Sequence, residues 1–194
     1  VKNCTNTGTV DASDANYVGG ITGRSTGYIR NCYIKCVLSG HSYVGGIAGY
    51  AFVSAFENCT NYAYVKAHQG SKSDNYVSAA GGIAGELFYG AVANCVNYGT
   101  VYSQGRLTGG IVGDIYSTGK VLNNANFGSV TGSSRVGGIV GATDTSDGST
   151  GLVIYNNYNV GTVRPRDGSN DYIGATTDLY KLTGKVPLIP RYAL

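Results

Sequence analysis

The chain has no methionine, no tryptophan, only two histidines, and charged side chains at just 13% of its 194 positions. Its few Lys and Arg residues are scattered singly and the net charge is +3, so there is no basic stripe to hold a nucleic acid, and no such partner is expected. No stretch approaches the roughly 18 to 20 apolar residues that cross a bilayer, which argues against membrane insertion of this segment. No charged-then-apolar leader opens the chain either. It begins Val-Lys-Asn-Cys, already inside a repeat, and reads as an internal or processed piece of a longer polypeptide. The missing leader therefore carries no information about compartment. His41 and His68 belong to no His-Glu-x-x-His pair and have no nucleophile placed beside them by motif, so both read as solvated loop residues.

What the chain has in excess is glycine, 31 residues, at fixed places among Val, Ile and Tyr. Gly-Gly-Ile-x-Gly recurs five times, at Gly19 to Gly23, Gly45 to Gly49, Gly81 to Gly85, Gly109 to Gly113 and Gly137 to Gly141. A phosphate-cradling loop needs a helix after it, whereas these copies lead back into strand-like sequence. A second beat, Asn-Cys-x-Asn-x-Gly-x-Val, runs between them, and its leading Asn recurs at 3, 31, 58, 94, 123 and 156, in steps of 28, 27, 36, 29 and 33 residues. Units of this length, rich in Val, Ile, Thr and Tyr, cannot bury an apolar face alone and must stack on one another.

The fold expected is all-β: a parallel β-solenoid of about six coils over residues 1–176, right-handed because crossover chirality favours that hand, with 177–194 as a C-terminal cap or linker. At about 4.8 Å per coil the rod is roughly 29 Å long. Repeat columns then become ladders in space. Val10, Leu38, Val65, Val101, Val130 and Val163 form one inward column, and Ile21, Ile47, Ile83, Ile111 and Ile139 another. Val18 and Ile21 are three apart, so the glycines between them must bend the chain, for which tolerance of positive φ is the expected reason. The Asn columns read as self-satisfying ladders, the second one (Asn6, Asn61, Asn97, Asn126, Asn159) broken at Ile34. Cys4, Cys32, Cys59 and Cys95 share one repeat position and read as buried free thiols, since parallel Cβ vectors in register suit a disulfide poorly.

Candidate function lies on the outside of this rod. Residues three before the inward valines form a column of Thr7, Lys35, Tyr62, Tyr98, Phe127 and Val160, whose three aromatics make a platform for a sugar ring or a partner protein, or else brace the sheet. The insert at 66–79 adds His68, Lys72 and Tyr76 as candidate binding residues, and that at 142–155 is the second long connection. Asp144 with Asp147, and Asp167 with Asp171, are the candidate metal ligands. Turn formation explains them equally, so no cofactor is expected and calcium is the alternative. No Asp or Glu column is evident along neighbouring coils, so a glycosidase or lyase groove is not signalled.

Val-Gly-Gly-Ile-Ala-Gly at Val44 to Gly49 and Asn-Cys-Thr-Asn-Tyr-Ala at Asn58 to Ala63 resemble the GLUG-motif repeats of bacterial surface proteins. Such repeats also occur in the non-catalytic portions of bacterial immunoglobulin A-specific metallopeptidases, whose zinc motif is absent here. The resemblance, which covers residues 1 to about 175, implies an extracellular or cell-surface bacterial module that serves as an adhesin or spacer. The expectation is a non-enzymatic protein whose partner is a glycan or a host surface protein. The alternative is a fragment of a polysaccharide-acting β-helix enzyme, a lyase or hydrolase.

Overall fold

The computed structural model describes residues 1–68, 78–144, 151–166 and 173–174. Every named strand pairs in parallel with its equivalents one coil away, so the chain is a β-solenoid with four sheets as its sides. The first sheet stacks the two-residue strands Thr5–Asn6, Tyr33–Ile34, Thr60–Asn61, Val96–Asn97, Ala125–Asn126 and Tyr158–Asn159. The second runs from Val10–Ala12 to Val163–Pro165, and the third from Tyr17–Gly19 to Ile173–Gly174. The fourth holds the long strands Thr22–Arg30, Ala48–Glu57, Ala84–Ala93 and Val112–Leu122, followed by Val140–Asp144 and Val153–Tyr155 side by side on the last of these.

The repeat columns are in register. Val10, Leu38, Val65, Val101, Val130 and Val163 are successive pairing partners, and Leu38 to Val130 are fully buried. Across the interior they meet the column of Ile47, Ile83, Ile111 and Ile139, and that of Ile29, Phe56, Val92 and Val121. One continuous apolar core thus runs the length of the stack, its first coil only partly covered.

Each corner has its own cause. Where the fourth sheet turns into the first, Asn3, Asn31, Asn58, Asn94, Asn123 and Asn156 all adopt left-handed backbone, with φ between 51° and 57°. Asn tolerates that region because its short amide bonds locally. Here it also bonds along the axis, the Asn31 amide donating to Asn3 Oδ1 at 3.2 Å and Asn156 to Asn123 at 2.8 Å. At the third-to-fourth corner the glycines act differently from the expectation. Among the described residues the one glycine with positive φ is Gly27, which lies outside the motif. The motif glycines are needed for close approach: a Cβ on Gly46, Gly82 or Gly110 would collide with the carbonyl oxygen of Gly82, Gly110 or Gly138 in the next coil and with an Asn side chain of the inner ladder.

That inner ladder is buried. Asn61 Nδ2 donates to Asn97 Oδ1 at 2.7 Å, Asn97 to Asn126 at 2.7 Å, and Asn126 to Asn159 at 2.8 Å. Its interruption by Ile34 leaves no orphan, because donation runs toward the C-terminus and Asn61 Oδ1 is already occupied by the Ala63 N–H at 2.7 Å. The five cysteines are free thiols. Those of the repeat column each donate to the carbonyl two residues back, as Cys95 does to Ala93 at 3.2 Å. Where the column continues as Asn124, its Oδ1 accepts the Cys95 N–H at 2.8 Å.

The second long connection interrupts the fourth sheet at a recurring bulge. Gly27, Val53, Tyr89 and Ser117, all with positive φ, mark the bulge in the first four coils. In the fifth, pairing with Val112–Leu122 ends at Asp144, opposite Tyr116, and is found again at Val153, opposite Lys120, on either side of the equivalent place.

Candidate functional site

Two outward surfaces carry chemistry. The first is the predicted aromatic column on the first sheet. Tyr62, Tyr98 and Phe127 lie in adjacent coils with 43%, 46% and 44% of their surface exposed. Ring centroids are 4.7 Å apart between Tyr62 and Tyr98 and 5.0 Å between Tyr98 and Phe127, with planes within 15° of parallel. Rings in contact are only about 3.5 Å apart along their normals, so each is offset by about 3 Å from the next. Tyr33 and Tyr158 extend the ladder to five rings, at 5.3 Å and 6.3 Å from their neighbours. These two stand two residues earlier in the repeat, and the column drawn from the sequence missed them for that reason.

The other predicted residues are dispersed. His68 follows the strand Tyr64–Ala67 of the second sheet and is tied through Nε2 to Ser39 Oγ at 2.9 Å, so it is anchored rather than freely solvated. Burial and then Lys66 hold its pKa below the ordinary imidazole value. His41 is likewise tied, its Nδ1 at 3.0 Å from Ser42 Oγ and 3.2 Å from Asn16 Oδ1. Asp144 ends the strand Val140–Asp144. Lys72, Tyr76, Asp147, Asp167 and Asp171, together with 177–194, lie outside the described residues. Among the described residues no group of three or more His, Cys, Asp or Glu side chains is arranged to hold a metal ion.

The second surface goes beyond the columns drawn from the sequence: no column is acidic throughout, yet two acids stand together in one. The residue after each Gly-Gly-Ile-x-Gly forms an outward column on the fourth sheet: Arg24, Tyr50, Glu86, Asp114 and Ala142 are successive pairing partners. Glu86 and Asp114 are therefore neighbours in consecutive coils. The third sheet contributes a facing column of Tyr17, Tyr43, Ala79, Leu107 and Arg135. The last motif glycine lets the columns converge, since a Cβ on Gly113 would sit 2.7 Å from the backbone of Ala80. Residues of both columns line a cleft of about 530 Å³, while Ala79 itself is buried beneath Tyr43 and Leu107.

Its floor is acidic and buried. Glu86 and Asp114 are 7% and 5% exposed, and Asp114 Oδ1 has no hydrogen-bond partner among the described residues. Burial pushes the Glu86 carboxyl up to about 7, moderated by its interaction with the Tyr43 hydroxyl. Asp114 is also raised, first by burial and then by Glu86 and Asp144, against the opposing pull of Arg135. Burial likewise raises Tyr43. Tyr17 stacks on Tyr43 at 5.5 Å and meets Tyr50 edge-on at 5.4 Å, closing one end of the cleft. Phe88 and Tyr116, stacked at 5.1 Å, form a wall, and Arg106 and Arg135 line the cleft beyond the carboxyls.

No protein-family model matches the chain, and no curated protein matches it. Among solved structures, the chain is similar to a "putative immunoglobulin A1 protease from Bacteroides ovatus", with a TM-score of 0.65 and 22% identity. The match covers 95% of this chain and 66% of that one. At that identity the likeness concerns the fold, and it fits the repeat architecture.

Proposed function

We propose that this solenoid is a non-enzymatic module of a bacterial surface or secreted protein, of the GLUG-repeat kind, that binds an extended glycan along its aromatic ladder. The observation that carries the reading is the run of five rings from Tyr33 to Tyr158, the central three stacked 4.7 and 5.0 Å apart and all partly open to solvent. A repeating array selects a partner that repeats along the same axis, and the C–H faces of successive sugar rings suit partly exposed aromatic rings. The fold likeness to a protein described as an immunoglobulin A1 protease supports a secreted setting. It lends no support to peptidase chemistry in this segment.

The test is a glycan array probed with the wild-type chain and with Tyr62→Ala/Tyr98→Ala. Binding to at least one polysaccharide, lost in the double variant, is expected. Binding to none, or unchanged binding by the variant, refutes the ladder as the recognition surface. Incubation with the same polysaccharides is expected to yield no new reducing ends or unsaturated products. Their appearance would favour the enzymatic alternative.

A further inference from the structure

The carboxyl-floored cleft lies between the third and fourth sheets, separate from the aromatic ladder on the first, and the ladder reading makes no use of it. Its features are built rather than incidental. Two buried carboxyl groups, one with an oxygen lacking any partner among the described residues, stand in adjacent coils and both line the cleft. An unbonded buried polar atom is destabilising, and a ligand that bonds to it recovers that cost.

The chemistry of the walls narrows the ligand. Three acids (Glu86, Asp114, Asp144) face two guanidinium groups (Arg106, Arg135), so the lining does not select strongly on charge. A divalent cation would require both floor carboxyls ionised, which their burial and mutual proximity oppose. A buried carboxyl that keeps its proton both donates and accepts, as a hydroxyl-rich partner requires. The tyrosine end, Tyr17, Tyr43 and Tyr50, offers aromatic surface for an apolar face. A volume of about 530 Å³ falls in the range of small-ligand sites.

We infer that this cleft is a second, independent binding site for one or two sugar rings, whose hydroxyls bond to Glu86 and Asp114 while a ring face packs on the tyrosines.

The experiment is isothermal calorimetry and amide chemical-shift mapping with a panel of monosaccharides and disaccharides, neutral and acidic, on the intact chain. Wild-type protein is expected to bind at least one of them, with shifts confined to residues around Glu86, Asp114 and Tyr43. Asp114→Asn, close to isosteric, and Glu86→Gln should each weaken binding tenfold or more while the amide spectrum stays folded. Tyr62→Ala/Tyr98→Ala should leave it unchanged. Failure of every sugar to bind, shifts located elsewhere, or indifference to both floor substitutions would overturn the inference. So would calcium binding at Glu86 and Asp114 that excludes sugars. Loss of polysaccharide binding in the ladder variant alone, with the cleft still occupied, bears only on the ladder.

Discussion

Replacing Glu86 with Gln probes the energetic consequence of burying a carboxyl on the wall of the solenoid. Burial lifts the Glu86 pKa from an ordinary 4.5 to about 7, so the folded chain holds this proton more tightly than the unfolded chain does. The resulting stabilisation is present in full below the unfolded value, is lost as pH rises from about 4.5 to about 7, and is gone above that. A shift of about 2.5 units at 1.36 kcal/mol each amounts to about 3 kcal/mol. The groups that face Glu86 are the Tyr43 hydroxyl, which moderates the shift, and Asp114 in the next coil, itself influenced by Asp144 and Arg135. Because Glu86 also helps to raise Asp114, the difference between the two pH profiles contains the Glu86 contribution together with the relief of Asp114, which acts in the same direction. Urea unfolding followed by far-UV circular dichroism, from about pH 4 to about pH 8, is the assay. Glu86→Gln should match the wild type at the acidic end and exceed its stability by about 3 kcal/mol at the alkaline end. Parallel profiles, or a variant weaker at every pH, would refute the reasoning.

Three further substitutions probe the stack. Asn97→Ala removes a side chain that receives the Asn61 amide at 2.7 Å and donates to Asn126 at 2.7 Å, stranding the buried Asn61 amide and leaving Asn126 Oδ1 only the Gly128 N–H at 3.2 Å. A loss of about 3 kcal/mol or more in urea unfolding is expected. Gly110→Ala drives a methyl into the Gly138 carbonyl and the Asn126 side chain, and should lower the thermal midpoint sharply. The control, Gly8→Ala, meets nothing nearer than Asn6 Oδ1 at 3.6 Å and should leave the midpoint nearly unchanged. Val53 holds a φ of 49° at the bulge while 58% exposed, an unfavourable region for a β-branched residue. Val53→Asn should therefore stabilise the chain by about 1 kcal/mol in the same unfolding assay.

The columns legible in the sequence were those where every coil needs the same residue for the same reason. A left-handed corner calls for Asn at 3, 31, 58, 94, 123 and 156, and an interior position calls for Val or Leu from 10 to 163. The glycine corners were legible as corners, but their cause lies in contact between coils, which no single unit reveals. The cleft was hidden because its two columns vary in identity. Arg24, Tyr50, Glu86, Asp114 and Ala142 share a position set by the motif before them, and reading the residue after each Gly-Gly-Ile-x-Gly would have placed Glu86 beside Asp114. The other wall comes from a facing column in another sheet, with Tyr17, Tyr43, Leu107 and Arg135, which only the closed coil brings near.

Pulsed electron paramagnetic resonance on spin labels at Lys35→Cys and Val160→Cys tests the in-register stacking directly. The two positions are exposed, occupy one column on the first sheet, and are separated by four coil steps. At about 4.8 Å per step, a single narrow distribution centred near 19 Å, widened by the label arms, is predicted. A broad distribution, or a centre beyond about 40 Å, would contradict the stacked solenoid and with it both binding surfaces.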